Sequence, residues 1–189
     1  MASTIQQFSE FEIKDSAVRF EGEESAVKLG CVGSLGETLN AKTVTKKCEG
    51  VVAKSRTKGD GTGEIVWSLH MKEEVFKKMF GMTNDGMKAG VYAYGQNSRH
   101  KVFCYMCKAV DEDGNVKYKA YPNCCVTSGI NRSTENGAEE VAEIEVTAAV
   151  MPDEQGNGMY EAFAEDLDET TAAKWLTAFD YSLVADTTA

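Results

Sequence analysis

Four cysteines are the residues of this chain best suited to metal or thiol chemistry. Cys104 and Cys107 form a CxxC spacing, and the adjacent pair Cys124 and Cys125 follows. Zinc knuckles place such ligands on tight turns, whereas this motif lies within KVFCYMCKAV, which is typical of a strand. Residues three apart on a strand point to opposite faces. We therefore expect reduced cysteines that pack as small apolar residues, with a metal- or thiol-dependent enzyme as the less favoured alternative.

Other reactive groups lack the partners that catalysis requires. The two histidines, His70 and His100, have no nucleophile or carboxylate at a recognisable spacing. The run DEDGN at residues 111–115 offers oxygen donors, but its composition favours a β-turn over a calcium loop. The glutamates of EEVAEIE could transfer protons, although a regular row on a strand is more simply a solvated face. The sequence thus predicts a protein that is not an enzyme and has no catalytic residue, metal site or cofactor.

Charge and hydropathy limit the class of partner. The 189 residues carry 20 Lys+Arg against 30 Asp+Glu, a formal net charge of −10. Such a chain is poorly suited to gripping nucleic acid, because affinity there comes mainly from neutralising phosphates. No apolar run reaches the roughly 20 residues of a membrane-spanning helix, and the N-terminus lacks the pattern of a secretory signal. We expect a protein without a membrane anchor that is kept in a cytosol.

Strands dominate the predicted elements. Apolar and polar residues alternate over 139–150, which indicates a strand with one buried face and one wet, acidic face. A hairpin over 101–126 precedes it, and further strands are predicted over 11–20, 25–32, 43–55 and 64–71. The buried face of the alternating strand should contain Ala142, Ile144, Val146, Ala148 and Val150, and the wet face Glu139, Glu143, Glu145 and Thr147.

Two helices and one long hairpin complete the prediction. Helical spacing of apolar residues predicts a helix over 72–80 that stops at Gly81, and Asp168 should cap a second helix over 169–178. Glycines predict a loop over 33–42 and a flexible hairpin tip over 58–64. We therefore expect one domain spanning 1–189, with an N-terminal arm, a long hairpin arm at about 33–64 and a C-terminal tail.

Three segments resemble the major tail protein, or tail tube protein, of long-tailed, non-contractile bacteriophages. They are GMTNDGMKAGVYAYGQNSRHKVFCYMCKAVDEDGN, NVKYKAYPNCCVTSG and ENGAEEVAEIEVTAAVMPDEQGNGMYEAF, within roughly residues 65–184. The resemblance implies a mainly β fold of the tail-tube type. That fold is a β-sandwich or barrel with one flanking α-helix and extended loop or terminal arms.

The same resemblance implies a structural virion protein. Such proteins self-assemble into stacked hexameric rings, and the resulting tail tube conducts DNA to the host without binding it specifically. The implied partners are further copies of the chain, the tape measure protein, the tail terminator and distal tail proteins. The implied location is the virion tail, assembled in the cytoplasm of the bacterial host. A tube protein of a related contractile injection or secretion device is the alternative.

Two groups of residues are candidates for roles in such an assembly. The glycine-rich segment of the predicted tip, with the loop Gly33–Asn40, is expected to reach neighbouring subunits. Glu143 and Glu145 are expected to line an acidic channel, with an outward, solvent-facing position as the alternative. The candidate inter-subunit residues are Gly59, Asp60, Gly61, Thr62 and Gly63.

Overall fold

The computed structural model describes residue 5 and residues 7–186, and its strands form one antiparallel sheet. The prediction of a mainly β fold with a flanking helix is confirmed. The helices are α1 (Glu73–Met79), α2 (Glu169–Ala178) and α3 (Tyr181–Val184). The strands are β1 (Glu12–Phe20), β2 (Val27–Lys28), β3 (Gly30–Cys48), β4 (Val51–Met71), β5 (Val102–Val110), β6 (Val116–Val126), β7 (Ile144–Met151) and β8 (Tyr160–Phe163).

The sheet closes on itself as a barrel. Its strand order is β2-β1-β5-β6-β7-β4-β3, and β8 pairs with β6. The short β2 pairs with β1 and continues through Leu29 into β3, so the two ends of the order meet. The Leu29 N–H donates to the Ser16 carbonyl at 3.0 Å across this junction. The edges of the sheet therefore meet at this junction, whereas β8 pairs on one side only.

The barrel interior is filled by aromatic and aliphatic side chains. Trp67 contacts the rings of Phe103 and Tyr105, and all three are buried. One end of the barrel is covered by α1, which buries Val75, Phe76 and Met79. Gly81 ends this helix with φ +60°, and a Cβ there would lie 2.0 Å from the Arg99 carbonyl oxygen. The predicted helix and its glycine stop are confirmed.

A second apolar layer lies outside the barrel. The helices α2 and α3 cover the outer face of β1, β5, β6 and β8. Asp168 caps α2 by accepting hydrogen bonds from the Thr170 and Thr171 N–H groups at 2.9 and 3.0 Å, as predicted. The buried residues of this outer layer are Ala17, Cys104, Met106, Ala120, Trp175 and Phe179.

The cysteines divide between these two layers. Cys104 packs in the outer layer, whereas Cys107 and Cys124 pack inside the barrel, so the predicted opposite faces of Cys104 and Cys107 are confirmed. Burial raises the pKa of the Cys104 and Cys107 thiols to about 12. Cys31 and Cys48 are exposed, and all six cysteines are free. Within the described residues, no cluster of three His, Cys, Asp or Glu side chains could hold a metal ion.

The long hairpin turns at a different place from the predicted one. Its tip is Glu49–Gly50, between the paired residues Cys48 and Val51, and both tip residues have positive φ values of 51° and 82°. This is the geometry of a two-residue hairpin turn whose twist matches the strands. The predicted tip over 58–64 and the predicted loop over 33–42 are wrong, because both segments belong to strands.

The glycines in those segments allow close approach of neighbouring chain segments. A Cβ on Gly33 would lie 2.1 Å from a Glu143 carboxylate oxygen. A Cβ on Gly63 would lie 2.4 Å from the Thr38 carbonyl oxygen. Glycine inside a strand often marks such a contact, and this is why glycine content alone misplaced the turn.

The structure describes only part of each chain terminus. Of the predicted N-terminal arm and C-terminal tail, residues 1–4, 6 and 187–189 lie outside the described part of the chain. Phe8 packs edge-on against Phe163 of β8 with ring centroids 5.5 Å apart. No helix among the described residues is long and apolar enough to span a bilayer.

Candidate assembly surfaces

The barrel end opposite α1 is closed by an ionic cluster around Lys119. This β6 lysine is 1% exposed and forms ion pairs with Glu10 and with Glu37 of β3, the latter at 2.7 Å. The Tyr121 hydroxyl also donates to Glu37. Burial alone would lower the Lys119 pKa, but hydrogen bonds to the two carboxylates outweigh burial and hold it above 10.5. Glu37 therefore ties the base of the hairpin across the end of the barrel.

A bulge lies where the hairpin leaves the barrel. Asn40 on β3 faces three residues of β4, Asp60–Thr62, because Leu39 pairs with Gly63 and Ala41 pairs with Gly59. Asp60 accepts hydrogen bonds from the Thr62 N–H and hydroxyl at 3.0 and 2.8 Å. Gly61 has φ +77°, and a Cβ there would lie 2.5 Å from the Gly156 carbonyl oxygen. We call this bulge, residues 59–63, the shoulder; it is packed against the β7–β8 connection.

Beyond the shoulder, the hairpin extends away from the barrel. We call residues 41–59 the arm, and every one of them is exposed. At about 3.4 Å per residue, each strand of the arm is roughly 25 Å long. Val44 is 61% exposed, and Val51 near the tip is 70% exposed. An isolated two-stranded ribbon is only marginally stable in water. Contact with another molecule would bury these apolar side chains and stabilise the arm, so the arm is suited to such a contact.

One part of the outer barrel surface is not covered by helices. It is formed by β3, β4 and β7, where Glu145 pairs with Ser68 and Thr147 pairs with Val66. Glu145 is exposed, and Glu143 lies immediately before β7, where it is also exposed. The two predicted channel glutamates thus lie together beside a bare sheet face. The side chains would have to be exposed in either case, whether they line the channel or face the solvent outside the tube.

The helical layer carries an acidic groove, which we call the C-terminal groove. Its volume is about 580 Å³. Trp175 lines the floor, and its indole N–H has no hydrogen-bond partner among the described protein groups. Residues 152–186 contain nine Asp or Glu and one Lys. The apolar floor is completed by Leu167, Leu183 and Val184, and the acidic rim contains Glu161, Asp166, Asp168 and Asp186.

Two features of these surfaces were missed by sequence reasoning. Lys119 was not singled out, although the run KYKAY places it on the same strand face as the buried Tyr121. The arm was divided between a strand and a flexible tip, although Thr43 and Thr45 alternate with Lys42, Val44 and Lys46. Both sequence patterns repeat every two residues, as in a strand. They show which side chains share a face only when the pairing of the strands is known.

Two solved structures from a phage-tail-like particle are similar to this chain. No protein-family model matches the chain, and no curated protein matches it. The chain is similar to the tube-terminating cap of the anti-feeding prophage, with 15% identity, a TM-score of 0.47 and coverage of 87% of this chain and 100% of that chain. It is also similar to a chain in the anti-feeding prophage baseplate, with 6% identity, a TM-score of 0.38 and coverage of 86% and 97%. At these scores neither similarity establishes a shared fold.

Proposed function

We propose that this protein is the structural subunit of a phage-tail-type tube that self-assembles into stacked hexameric rings. The observation that carries the proposal is the arm, a fully exposed ribbon projecting from a closed barrel. In the body, most strand edges are paired with a neighbouring strand, whereas the arm offers two open edges and exposed faces that another subunit could cover. The resemblance of residues 65–184 to tail tube proteins supports the same function.

A structural role also accounts for the polar clusters of the chain. Asp60 orders the shoulder, Asp168 caps α2, and Lys119 closes the end of the barrel. Each cluster stabilises the fold or the base of the arm. We therefore propose a non-catalytic virion protein, located in the tail and assembled in the host cytoplasm, with the tape measure, terminator and distal tail proteins as partners.

Electron microscopy of concentrated protein tests this function directly. We expect rings or tubes from the parent protein. A variant in which residues 43–57 are replaced by Asn-Gly should keep the folded barrel, because the arm buries none of it, but should not form tubes. Circular dichroism and thermal unfolding report whether the barrel is intact. Glu49→Asn, which suits the tip turn, is the matched control and should assemble.

The outcomes separate two conclusions. Normal tubes from the shortened variant would show that the arm is not required for assembly. A parent protein that forms neither rings nor tubes at any concentration would contradict the tube function itself.

We also infer that Glu143 and Glu145 face the channel of the tube. A hexamer of chains with charge −10 carries a formal charge of about −60 per ring. Glu145 lies on the bare face of β3, β4 and β7, and Glu143 lies beside it. Like charge repels DNA phosphates, so duplex DNA could slide past without being held by counterion release.

Charge reversal tests this position. Particles carrying Glu143→Lys and Glu145→Lys should form tubes but eject DNA slowly, and added salt should relieve the defect. Glu112→Lys with Asp113→Lys gives the same change in charge in the exposed turn between β5 and β6 and should eject DNA normally. Normal ejection from intact tubes bearing lysine at 143 and 145 would place both residues outside the channel.

A further inference from the structure

The arm has two chemically different faces. Paired residues on neighbouring antiparallel strands point to the same side of a sheet. On one side of the arm, Thr43 lies opposite Thr57 with hydroxyl oxygens 2.8 Å apart, and Thr45 lies opposite Ser55. We call this side the hydroxyl face. The other side, which we call the basic face, contains the three pairs Lys42 with Lys58, Val44 with Arg56, and Lys46 with Lys54.

The cations of the basic face form no ion pair among the described residues, although hydrogen bonds within the shoulder and the nearby Lys42 together lower the pKa of the Asp60 carboxyl. Lys42 is directly opposite Lys58, and Lys46 is directly opposite Lys54. Like charges in directly opposite positions destabilise a strand pair. All ion pairs among the described residues lie outside the arm. An acidic surface of another molecule would therefore stabilise the arm as well as bind it.

Charge is divided unevenly along the chain. The arm contains six Lys or Arg and one Glu, a net charge of +5, whereas the remainder contains 14 Lys or Arg and 29 Asp or Glu, a net charge of −15. The C-terminal layer is especially acidic. A basic arm on an acidic body gives each copy a surface that is electrostatically complementary to the next copy.

We propose that the basic face of the arm docks into the C-terminal groove of a second copy of this chain. This contact rests on the proposed function, since it would link subunits of the tube. The cations would meet the acidic rim, including Glu161 and Asp166, while Val44 would meet the apolar floor at Leu167. The groove volume of about 580 Å³ is large enough for several side chains.

The geometry of this contact favours assembly over simple pairing. The arm and the groove are different surfaces of one chain, so every arrangement other than a reciprocal exchange of arms between two copies is head-to-tail and leaves a free arm and a free groove at its ends. Repetition then closes a ring or continues as a stack. Every arm residue is exposed in the single chain, so the arm does not occupy its own groove.

Nucleic acid is the competing partner for a basic ribbon. A two-stranded ribbon is narrow enough to enter the major groove of duplex DNA, and lysines are attracted to phosphates. The body, however, carries a net charge of −15 and repels the same phosphates. The charge distribution therefore favours a second copy of the chain.

Neutralising the basic face tests the contact. Lys42→Gln, Lys46→Gln and Lys58→Gln together remove three positive charges from the arm. The matched control is Lys72→Gln, Lys88→Gln and Lys101→Gln, which removes three positive charges from the body. We expect the arm variant to need about tenfold more protein for self-association at low salt, measured by sedimentation velocity and electron microscopy. The control should behave as the parent does.

A charge swap identifies the groove as the partner surface. Lys42→Glu with Lys58→Glu should impair self-association, and so should Glu161→Lys with Asp166→Lys. The chain that carries all four substitutions should recover, because the signs are exchanged on both sides of the contact. Thermal unfolding of each variant checks that the barrel is intact.

Each outcome bears on the proposal. Parent-like association of the arm variant, or no recovery in the fourfold variant, would overturn it. So would a labelled DNA duplex that binds the parent and not the arm variant while self-association is unchanged. A parent that associates at low salt through these residues but forms no rings or tubes would contradict the tube function and retain the arm–groove contact. A parent that stays monomeric at low salt and high concentration would overturn the contact itself.

Discussion

The barrel and the arm are built from the same two strands, β3 and β4, but different forces hold them. Between the shoulder and α1, β4 buries Ile65, Trp67 and Leu69, and full burial of such a side chain contributes about 1.5–3 kcal/mol. In the arm, every side chain is exposed, and order depends on backbone hydrogen bonds and cross-strand hydroxyl pairs. The chain therefore stabilises its own fold as far as the shoulder, whereas the arm is built for contacts that one chain does not provide.

The largest expected contrast is between two apolar side chains of this hairpin. Trp67→Ala should lower the free energy of unfolding by about 3–5 kcal/mol, because it opens a cavity inside the barrel. Val44→Ala in the exposed arm should change it by no more than about 0.5 kcal/mol. Urea denaturation of both variants provides the measurement. Comparable losses would mean that the arm is part of the cooperative core.

The ionic cluster should make the base of the hairpin dependent on Lys119. Lys119→Ala leaves the Glu37 carboxylate without its buried cation, and we expect a loss of about 2–3 kcal/mol, moderated by the partial exposure of Glu37. Lys119→Met, which preserves the packing, should lose less.

The same cluster predicts a pH dependence. The pKa of Lys119 is raised in the folded state, so its contribution is complete below about 10.5 and is lost as pH rises through the folded-state pKa. Urea denaturation from pH 7 to 11 should therefore show the parent converging on the methionine variant. A gap that stays constant with pH would contradict the ionic explanation.

Cysteines in the barrel and in the arm should differ in how much they stabilise the fold and in how readily they react. Cys104→Ser and Cys107→Ser should each cost about 1–3 kcal/mol, because each buries a hydroxyl in an apolar layer, whereas Cys48→Ser in the arm should be neutral. Burial raises the pKa values of the Cys104 and Cys107 thiols from 9.0 to about 12. The stability that these two thiols contribute is therefore present below pH 9 and is lost towards pH 12.

Thiol labelling and metal analysis check the same assignment. In the folded protein, a thiol reagent should modify Cys31 and Cys48 rapidly and reach Cys104 and Cys107 only after unfolding. Stoichiometric zinc in the parent that disappears in the serine variants would overturn the packing role of these cysteines.

The smallest expected contrast concerns two glycines with positive φ. Gly61→Ala should cost about 2 kcal/mol, because backbone strain is combined with a Cβ only 2.5 Å from the Gly156 carbonyl oxygen. Gly50→Ala at the tip meets no atom within 4 Å and should cost about 1 kcal/mol from its backbone conformation alone. In the Gly50→Ala variant, hydrogen exchange should become faster only at the backbone amides of the arm. Equal global effects would place the tip and the shoulder in one cooperative unit.

Local patterns predicted the elements better than their contacts. The period of apolar residues identified β7 and α1, and the capping role of Asp168 could be predicted because it involves residues two and three positions away. The tip was missed because Glu49 adopts a positive φ without being glycine. The pairing of Lys119 with Glu37 spans 82 positions and has no local signal. The residues of the two faces of the arm alternate along the sequence. Which of them lie opposite one another depends on the register between β3 and β4.

The free edges of the arm have a consequence for the protein before it assembles. β4 pairs with β7 only over residues 63–69, so the outer edges of both arm strands remain open beyond the shoulder. Open edges are templates for intermolecular sheet growth, and lysines along an edge are a common defence against it. The lysines of the arm should therefore prevent newly made subunits from joining arm to arm into fibrils. The same charges would direct each arm to the acidic groove of another copy instead of to another arm.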